Sequence, residues 1–311
     1  MFFVAAAFGI FIGLVMAKQK VTMDEIKWGT RQRLQYIELM AFYAGVITRS
    51  DIAKAFAISD AAATKDLKFY SEIAPDNLIY KHSVFGFVPS SSFREVFADL
   101  SPAVALSIFE ANFIISSIPN IDNHMFGIPT SGLTLPNRLP KKSVLAQITR
   151  SICSKKKLKV SYHSLTEKAQ PTKRIIEPHS LVNTGFRWHV RAYSEESFDF
   201  RDFVLSRFAS AKCLDDEVES NELYDDDWVE IISLELAPHP KLSKEKQKSL
   251  LLDYSANKNV ISIKVRRALI GYLLQQLSVD TTIDHSLNPN KYQLIVLNRD
   301  EIEPFASWAF D

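Results

Sequence analysis

The sequence predicts a multidomain α+β protein with three parts: a head of three helices and a hairpin, a small β-barrel, and a small α/β C-terminal domain. A length of 311 residues suits two or three domains. Helical periodicity dominates the first third of the chain, short alternating strands crowd the middle, and strands alternate with helices in the tail. A hydrophobic content of 47% is ordinary for domains that bury a core.

The first 17 residues, MFFVAAAFGIFIGLVMA, are apolar and uncharged. They fall short of the roughly 20 apolar residues of a membrane span, and they lack the basic start of a secretory signal. We interpret residues 1–23 as an extension from a misplaced translation start, with Met16 or Met23 as the other candidates. A native membrane anchor is the alternative. With a misplaced start, we expect a cytoplasmic, nucleoid-associated protein that is not attached to the membrane.

Residues 24–95 predict a winged helix-turn-helix. A helical pattern over residues 27–44 stops at Gly45, and Thr48 with Asp51 resembles a capping box at the start of a second helix. A tight turn follows, and Ser59 is placed to cap a third helix that runs to about residue 73. The alternating residues 78–88 then suit a short hairpin, which is the wing.

In this motif the third helix faces base edges, and the helix before it crosses the phosphate backbone. Thr64 can contact a base edge, and the lysines can pair with phosphate or guanine. The predicted DNA-binding residues are Arg49, Ser59, Ala61, Thr64, Lys65, Lys68, Lys81 and His82. Residues 18–81 hold ten basic and eight acidic side chains, so 10 − 8 = +2, and tight binding is expected to need a dimer on an inverted repeat. The alternative is a plain helical bundle with solvated lysines.

The stretch between the head and the middle predicts a helical linker over residues 96–142. We expect helix over residues 90–112, where Ser101-Pro102 is a suitable N-cap and first-turn pair. Residues 118–139 are rich in Pro, Asn and Gly and predict an interdomain connection.

Residues 143–214 predict a small barrel that binds an anion. A helix over residues 143–154 precedes four short strands at 157–163, 173–176, 187–193 and 200–205. The segment carries 13 basic and six acidic side chains, so 13 − 6 = +7, which favours an anionic partner. On the third strand, Trp188 and Val190 share one face, and Arg187, His189 and Arg191 share the other. We expect Trp188 in the core.

Arginine forks beside a histidine suit a phosphate or nucleotide. The predicted ligand-binding residues are Tyr162, Arg174, His179, His189, Arg191, Arg201 and Arg207. For the arginines, structural ion pairs with Asp202 or Glu177 are the alternative.

Residues 215–311 predict an acidic linker and a C-terminal α/β dimerisation domain. Residues 215–230 hold nine acidic side chains and no basic one, and we interpret them as a solvated linker. Strands at 229–236, 260–265 and 292–297 then alternate with helices at 241–254 and 266–277.

Two patterns resemble known regulators. The first pattern is Ala57-Ile58-Ser59 followed by Lys65-Asp66-Leu67-Lys68. It resembles the helix-turn-helix of bacterial regulators whose amino-acid motif is G-V-S…R-D-L-K. Within residues 158–214, the order and spacing of a set of aromatic, acidic and basic residues resemble those of the WYL domain, a small Sm-like β-barrel. The matching positions are Tyr162, Arg174, Glu177-Pro178-His179, Trp188-His189-Val190, Arg201-Asp202-Phe203 and Leu205-Ser206-Arg207.

From residue 24 onward the layout is similar to WYL repressors of bacterial phage-defence operons of the BREX and CBASS kind. The resemblance implies a homodimeric repressor of its own operon. It also implies control by a nucleotide or nucleic-acid-fragment effector in the WYL-like domain.

The sequence offers no pattern for an enzyme, a cofactor or a metal. Cys153 and Cys213 are isolated, and the seven histidines lack metal-site spacing. No nucleophile motif or Gly-rich phosphate loop is present. The alternative function is an RNA- or single-stranded-DNA-binding accessory protein that uses the basic barrel.

Overall fold

The computed structural model describes residues 26–116, 128–133, 136, 138–165, 170–256 and 258–310. The chain divides into two compact units, Met1–Thr134 and Leu135–Asp311. The predicted N-terminal extension and most of the interdomain connection lie outside the described residues. Within the described ranges, no helix has the length and apolar composition needed to cross a membrane.

The first unit is a winged helix-turn-helix, as predicted. Its helices are α1 (Trp28–Ala44), α2 (Arg49–Phe56), α3 (Asp60–Ile73) and α4 (Pro102–Ser116), and its strands are β1 (Leu78–Lys81) and β2 (Gly86–Pro89). Gly45 ends α1 with a φ of 77°, a conformation that glycine adopts without steric cost. Thr48 and Asp51 form a complete capping box, and the Ser59 hydroxyl caps α3. These predictions rest on local signals, and the structure confirms them.

The helix predicted over residues 90–112 is wrong in its first half, because α4 begins only at Pro102. The carboxylate of Glu38 on α1 is fully buried and accepts hydrogen bonds from the amides of Phe97 and Ala98 at 2.8 and 2.7 Å. The Val96 amide donates to the same carboxylate at 3.1 Å. Three successive amides that converge on one side chain are incompatible with helical pairing at those residues.

The second unit begins with α5 (Lys142–Ser154) and a five-stranded antiparallel sheet. The strands are β3 (Lys156–Tyr162), β4 (Thr172–Asn183), β5 (Trp188–Ser194), β6 (Asp199–Val204) and β7 (Phe208–Glu217), in the order β6-β5-β4-β3-β7. In the described residues no ladder joins the edge strands β6 and β7, so a closed Sm-like barrel is not confirmed. The sequence prediction missed β7, which enters the acidic run.

A second, four-stranded sheet follows in the order β10-β11-β8-β9. Its strands are β8 (Ile231–Pro238), β9 (Ile261–Arg266), β10 (Val279–Asp280) and β11 (Leu294–Val296). The helices are α6 (Asp226–Val229), α7 (Lys244–Asp253), α8 (Ile270–Gln276) and α9 (Arg299–Ala306). The apolar core lies under α8 and α9 and includes Leu234, Leu236, Ile270 and Ile302.

The interpretation of residues 215–230 as a solvated linker holds only in part, because most of its acidic side chains are exposed but some of them pair with distant residues. Glu219 pairs with Lys157 at 2.7 Å, and Asp227 pairs with Arg267 at 2.5 Å. Asp225 is buried against Arg191. These partners lie 34 to 62 residues away along the chain, so no local pattern announces them.

Candidate DNA-binding surface and ligand site

The orientation of α3 is fixed by its buried face. Ala63, Leu67 and Tyr70 pack into the core of the first unit. Asp66 accepts hydrogen bonds from Nε and Nη2 of Arg33 at 2.6 and 3.2 Å, which ties α3 to α1. The Asp-Leu pair inside the sequence motif therefore serves packing, and the opposite face of the helix points outward.

That outward face carries the residues predicted to contact DNA. Ala61, Thr64, Lys65 and Lys68 are all exposed. The Thr64 hydroxyl donates to the Asp60 carbonyl at 2.8 Å, so its methyl group and oxygen lone pairs are what it presents outward. These four positions lie on the exposed face of α3, within its first nine residues.

The turn before α3 is tight because Ala57 adopts a φ of 51°. The Ser59 hydroxyl accepts from the Ala62 amide at 3.2 Å and is thus already used as a cap. Arg49, at the start of α2, is exposed and lies 3.7 Å from the Asp60 carboxylate, a loose contact that a phosphate can replace. Both residues remain at helix N-termini, where anions are favoured.

The wing adds to this surface. In the described residues, Lys65, Lys68 and Lys81 have no carboxylate at ion-pair distance. His82 is exposed, and its ring centroid lies 5.0 Å from that of Tyr80. Two of the predicted residues, Lys81 and His82, are therefore exposed on the wing of the first unit.

A cavity of about 410 Å³ separates α3 from the wing. It is bounded on the helix side by Arg49, Thr64 and Lys68 and on the wing side by Tyr80 and Phe85. The sequence prediction did not include Tyr80 or Phe85, because the alternating pattern of a hairpin does not show which aromatic side chains stay exposed. The lining combines cationic and aromatic groups, a combination that suits a nucleic-acid backbone with its sugars.

In the second unit, Trp188 is not in the core. Its side chain is 40% exposed, whereas Val190 on the same face is fully buried. Trp188 pairs with Asn183 at the end of the β4–β5 ladder, beyond the region that the core covers. The prediction of a core tryptophan was therefore wrong for a positional reason.

His189 contacts Arg187, and the charges of Arg207 and Arg138 also act on it, so these four residues are called the His189 cluster. The side chain is 1% exposed, and its Nε2 accepts a hydrogen bond from Arg187 Nε at 3.1 Å. The proton of the neutral ring is consequently on Nδ1, which is buried and has no partner in the described residues. Burial, and then the charges of Arg187, Arg207 and Arg138, lower the pKa of His189 to about 4.

This cluster contains two predicted ligand residues, His189 and Arg207, and two that the prediction omitted, Arg187 and Arg138. Arg207 has no ion-pair partner in the part of the chain that the structure describes. A neutral donor without an acceptor beside three positive charges is an environment that favours an anion. Arg138 belongs to the connection before α5, and no sequence pattern linked it to β5.

Two other predicted ligand residues, Arg191 and His179, lie in a buried ion-pair cluster. Arg191 donates to Asp225 through Nε and Nη2 at 2.7 and 2.8 Å, and His179 Nε2 lies 3.2 Å from the same carboxylate. Burial alone would raise the pKa of Asp225, but the hydrogen bonds from Arg191 and His179 lower it to about 2. The guanidinium fork of Arg191 is thus occupied by protein.

The remaining three predicted residues lie elsewhere. Tyr162 is in the core, where its hydroxyl oxygen accepts from the Val204 amide at 3.0 Å. Arg174 pairs with Glu196 at 3.2 Å. Arg201 is exposed on β6 and lies 3.9 Å from Asp199. Among the described residues no arginine pairs with Glu177, and the structure brings only part of the predicted set to one place.

Tyr272 on α8 connects the His189 cluster to the C-terminal sheet. Its ring centroid lies 5.1 Å from that of His189, and its hydroxyl donates to Asp202 at 3.1 Å. On the other side its ring contacts Trp308 at a centroid distance of 5.1 Å. Tyr272 is therefore a single side chain that contacts both His189 and a residue of the C-terminal domain, Trp308.

Comparison with known protein families gives three consecutive matches. Residues 29–111 match the winged helix-turn-helix domain of BrxR transcriptional regulators. Residues 143–213 match the WYL domain, and residues 231–302 match the C-terminal dimerization domain of BrxR transcriptional regulators.

Curated relatives match over nearly the whole chain. The DNA-binding transcriptional repressor CapW of Escherichia coli (strain KTE188) is 33% identical over 282 residues, which cover 89% of this chain and 91% of the relative. The protein of the same name from Pseudomonas aeruginosa is 30% identical over 283 residues, with coverages of 89% and 92%.

A solved structure, proteasome accessory factor B/C (PafBC) of Arthrobacter aurescens, is 16% identical. The match covers 90% of this chain and 48% of that one, with a TM-score of 0.25. This similarity is too weak to inform fold or function.

Proposed function

Because the chain belongs to the WYL-domain family of BrxR- and CapW-type DNA-binding transcriptional repressors, we propose that it binds an inverted-repeat operator as a dimer and represses its own phage-defence operon. The observation that carries this proposal is the row of exposed, unpaired cations on α3 and the wing. Such a repressor acts in the cytoplasm, at the nucleoid, where the operator lies.

The proposed DNA contacts are divided between reading and anchoring. Ala61, Thr64 and Lys65 face base edges in the major groove, since the first turns of a recognition helix enter it. Arg49 and Lys68 hold the phosphates of the strand that runs through the cavity beside α3. Ser59 contributes through the N-terminus of α3, and Lys81 and His82 contact the neighbouring groove or backbone.

The test of this function is footprinting on the DNA upstream of the protein's own gene, followed by a salt titration of the protected duplex. Four cations in each protomer, Arg49, Lys65, Lys68 and Lys81, give eight in a dimer. If all contact phosphate, the slope of log K against log salt is about −7. A flat slope, or equal affinity for random duplex of the same length, contradicts the proposal.

We further propose that the effector is an anionic nucleotide or nucleic-acid fragment held beside His189. Arg207, Arg187 and Arg138 supply positive charge there, and His189 Nδ1–H is a donor for a phosphate or carbonyl oxygen. The effector does not contact Arg191, His179 or Tyr162. These residues are hydrogen-bonded to other protein groups and stabilise the fold around the site. For an effector to change repression, it must prefer one of the two states of the protein.

Tyr272 offers the route by which effector binding changes the dimer. A ligand oxygen on His189 Nδ1 alters the position of the imidazole, which packs on the Tyr272 ring. Tyr272 in turn contacts Asp202 and Trp308, so the displacement is passed to the C-terminal domain. The spacing of the two heads on DNA then changes, and operator affinity changes with it.

The effector site is tested by Arg207→Ala, with Arg201→Ala on β6 as the matched control. Operator release is followed by fluorescence anisotropy while mononucleotides and short 5′-phosphorylated oligonucleotides are added. We expect Arg207→Ala to bind operator normally and to lose the response, and Arg201→Ala to keep both. If Arg207→Ala responds like the wild type, the effector site is elsewhere.

The second candidate function, an RNA- or single-stranded-DNA-binding accessory protein, is favoured by one observation. Phe186 and Trp188 are exposed beside Arg187, and such a group can stack on bases. Competition separates the two functions. A repressor bound to its operator resists excess single strands, whereas an accessory protein is displaced by them without regard to duplex sequence.

A further inference from the structure

The tip of the wing presents apolar side chains to solvent. Phe85 is 79% exposed, and Val84 before it and Tyr80 on β1 are also exposed. Phe85 adopts a φ of 49°, a conformation that is rare for a bulky residue. Exposed apolar patches and strained backbone both occur preferentially at contact surfaces.

The tip is held rigidly relative to α2. The Ile47 and Phe87 backbones exchange two hydrogen bonds, both 2.9 Å, which attach β2 to the residue just before the Thr48 cap. Gly86 fits closely at this junction, because a Cβ there would lie 2.8 Å from Val46 Cγ2 and 3.1 Å from the Ile47 carbonyl oxygen. The position of Phe85 is therefore set by the same segment that positions the helix-turn-helix.

The surroundings of the tip are cationic. Phe85 lines the 410 Å³ cavity together with Arg49 and Lys68, and Lys81 and His82 precede it on the wing. This charge pattern matches a polyanion, and the surface is continuous with the face of α3 that reads DNA. A DNA strand seated in the cavity would leave the tip facing the minor groove next to the major-groove site of α3.

We propose that Phe85 is a wedge that enters the minor groove of the operator and partly unstacks one base step. Apolar side chains inserted in this way kink the duplex toward the major groove. Pyrimidine–purine steps such as TA and CA unstack most easily, so Phe85 would select such a step without any hydrogen bond to a base. This proposal rests on the proposed DNA-binding function and adds a residue that sets specificity by DNA deformation.

The test uses the full-length protein and the duplex that the wild type enriches from a random-sequence pool. Phe85→Asn removes the wedge and suits the backbone, because asparagine tolerates positive φ better than most other non-glycine residues do. The matched control is Phe198→Asn, since Phe198 is 81% exposed with a φ of 51° in the β5–β6 turn. Phe85→Leu keeps an apolar wedge.

Three quantities are measured: Kd by anisotropy, the bend by circular-permutation gel shift, and unstacking by 2-aminopurine fluorescence at each flanking step. For Phe85→Asn we expect Kd to rise about tenfold or more, consistent with the loss of one buried aromatic side chain. The bend and the 2-aminopurine signal should fall as well. Phe85→Leu should recover most of the affinity, and Phe198→Asn should match the wild type.

The proposal is overturned if Phe85→Asn binds and bends the selected duplex like the wild type, or if Phe198→Asn loses affinity equally. It is also overturned if Phe85→Asn alters only the oligomeric state, because the tip is then a protein contact. If the wild type enriches no sequence at all, the proposed repressor function itself fails, which is a distinct result.

Discussion

Removal of the Asp225 carboxylate should destabilise the second unit strongly. In Asp225→Ala, Arg191 loses two charge-assisted hydrogen bonds of 2.7 and 2.8 Å, and its nearest remaining carboxylate is Asp202 at 3.6 Å. His179 loses its 3.2 Å contact. Deletion of one partner of a buried ion pair typically costs about 3–5 kcal/mol, because the other charge stays buried and unpaired.

The pKa of Asp225 gives a second measure of the same interaction. The folded-state pKa is lowered from 3.8 to about 2, which corresponds to about 2 kcal/mol of stabilisation of the charged form. For a carboxyl group with a lowered pKa, this stabilisation is complete above pH 3.8 and is lost as the pH falls toward about 2. We therefore expect about 2 kcal/mol for Asp225→Asn, which removes the charge and keeps the shape.

The assay is urea unfolding at pH 7 followed by circular dichroism, with hydrogen exchange of β5 and α6 to assign the transition to this unit. Asp199→Ala is the control, because its pair with Arg201 is exposed and contributes little. The double variant Arg191→Met/Asp225→Ala should recover part of the loss, since the buried guanidinium is removed together with its main partner and Asp202 keeps its hydrogen bond from Tyr272. An Asp225→Ala midpoint equal to that of Asp199→Ala would refute the reasoning.

Two further predictions concern the ligand site and the wing. Because the pKa of His189 is lowered from 6.5 to about 4, the unfolded chain takes up a proton first as the pH falls, and folding should weaken by about 3 kcal/mol from pH 6.5 to pH 4. For His189→Gln, the free energy of unfolding should not fall by this amount across that pH range. In the wild type, NMR titration should show that the pKa of His189 rises when an anionic effector binds. Gly86→Ala should lower stability by about 1–3 kcal/mol, since its Cβ would meet Val46 and the Ile47 carbonyl. Thermal unfolding measures this cost, and a melting temperature equal to the wild type would show that the junction can relax.

Local chemistry allowed the sequence to predict the helix-turn-helix closely. Gly45, Thr48, Ser59 and Pro102 each act within one helical turn, so a cap or a stop is visible in a few adjacent letters. The prediction of helix over residues 90–101 went wrong where the deciding partner, Glu38, lies 58 to 60 residues away.

The candidate ligand site was predicted less well. Strand alternation placed His189 and Arg191 on one face, but it did not distinguish a charge that faces a ligand from one that faces a carboxylate. Arg191 is satisfied by Asp225, which is 34 residues away in a run that looked solvated. Arg207 has no such partner in the described residues, and only the folded chain lets the charge of Arg138 act on His189.

The amino-acid sequence by itself determined the order of the modules, the caps of the helices and the cationic character of the outward face of α3, because each depends on neighbours a few residues apart. Tertiary structure alone decided which charges are neutralised, that the acidic run pairs with cations on both sides of it, and that Phe85 faces outward beside the cavity. The physical reason is that burial and ion pairing depend on contacts between distant segments, which form only when the chain packs.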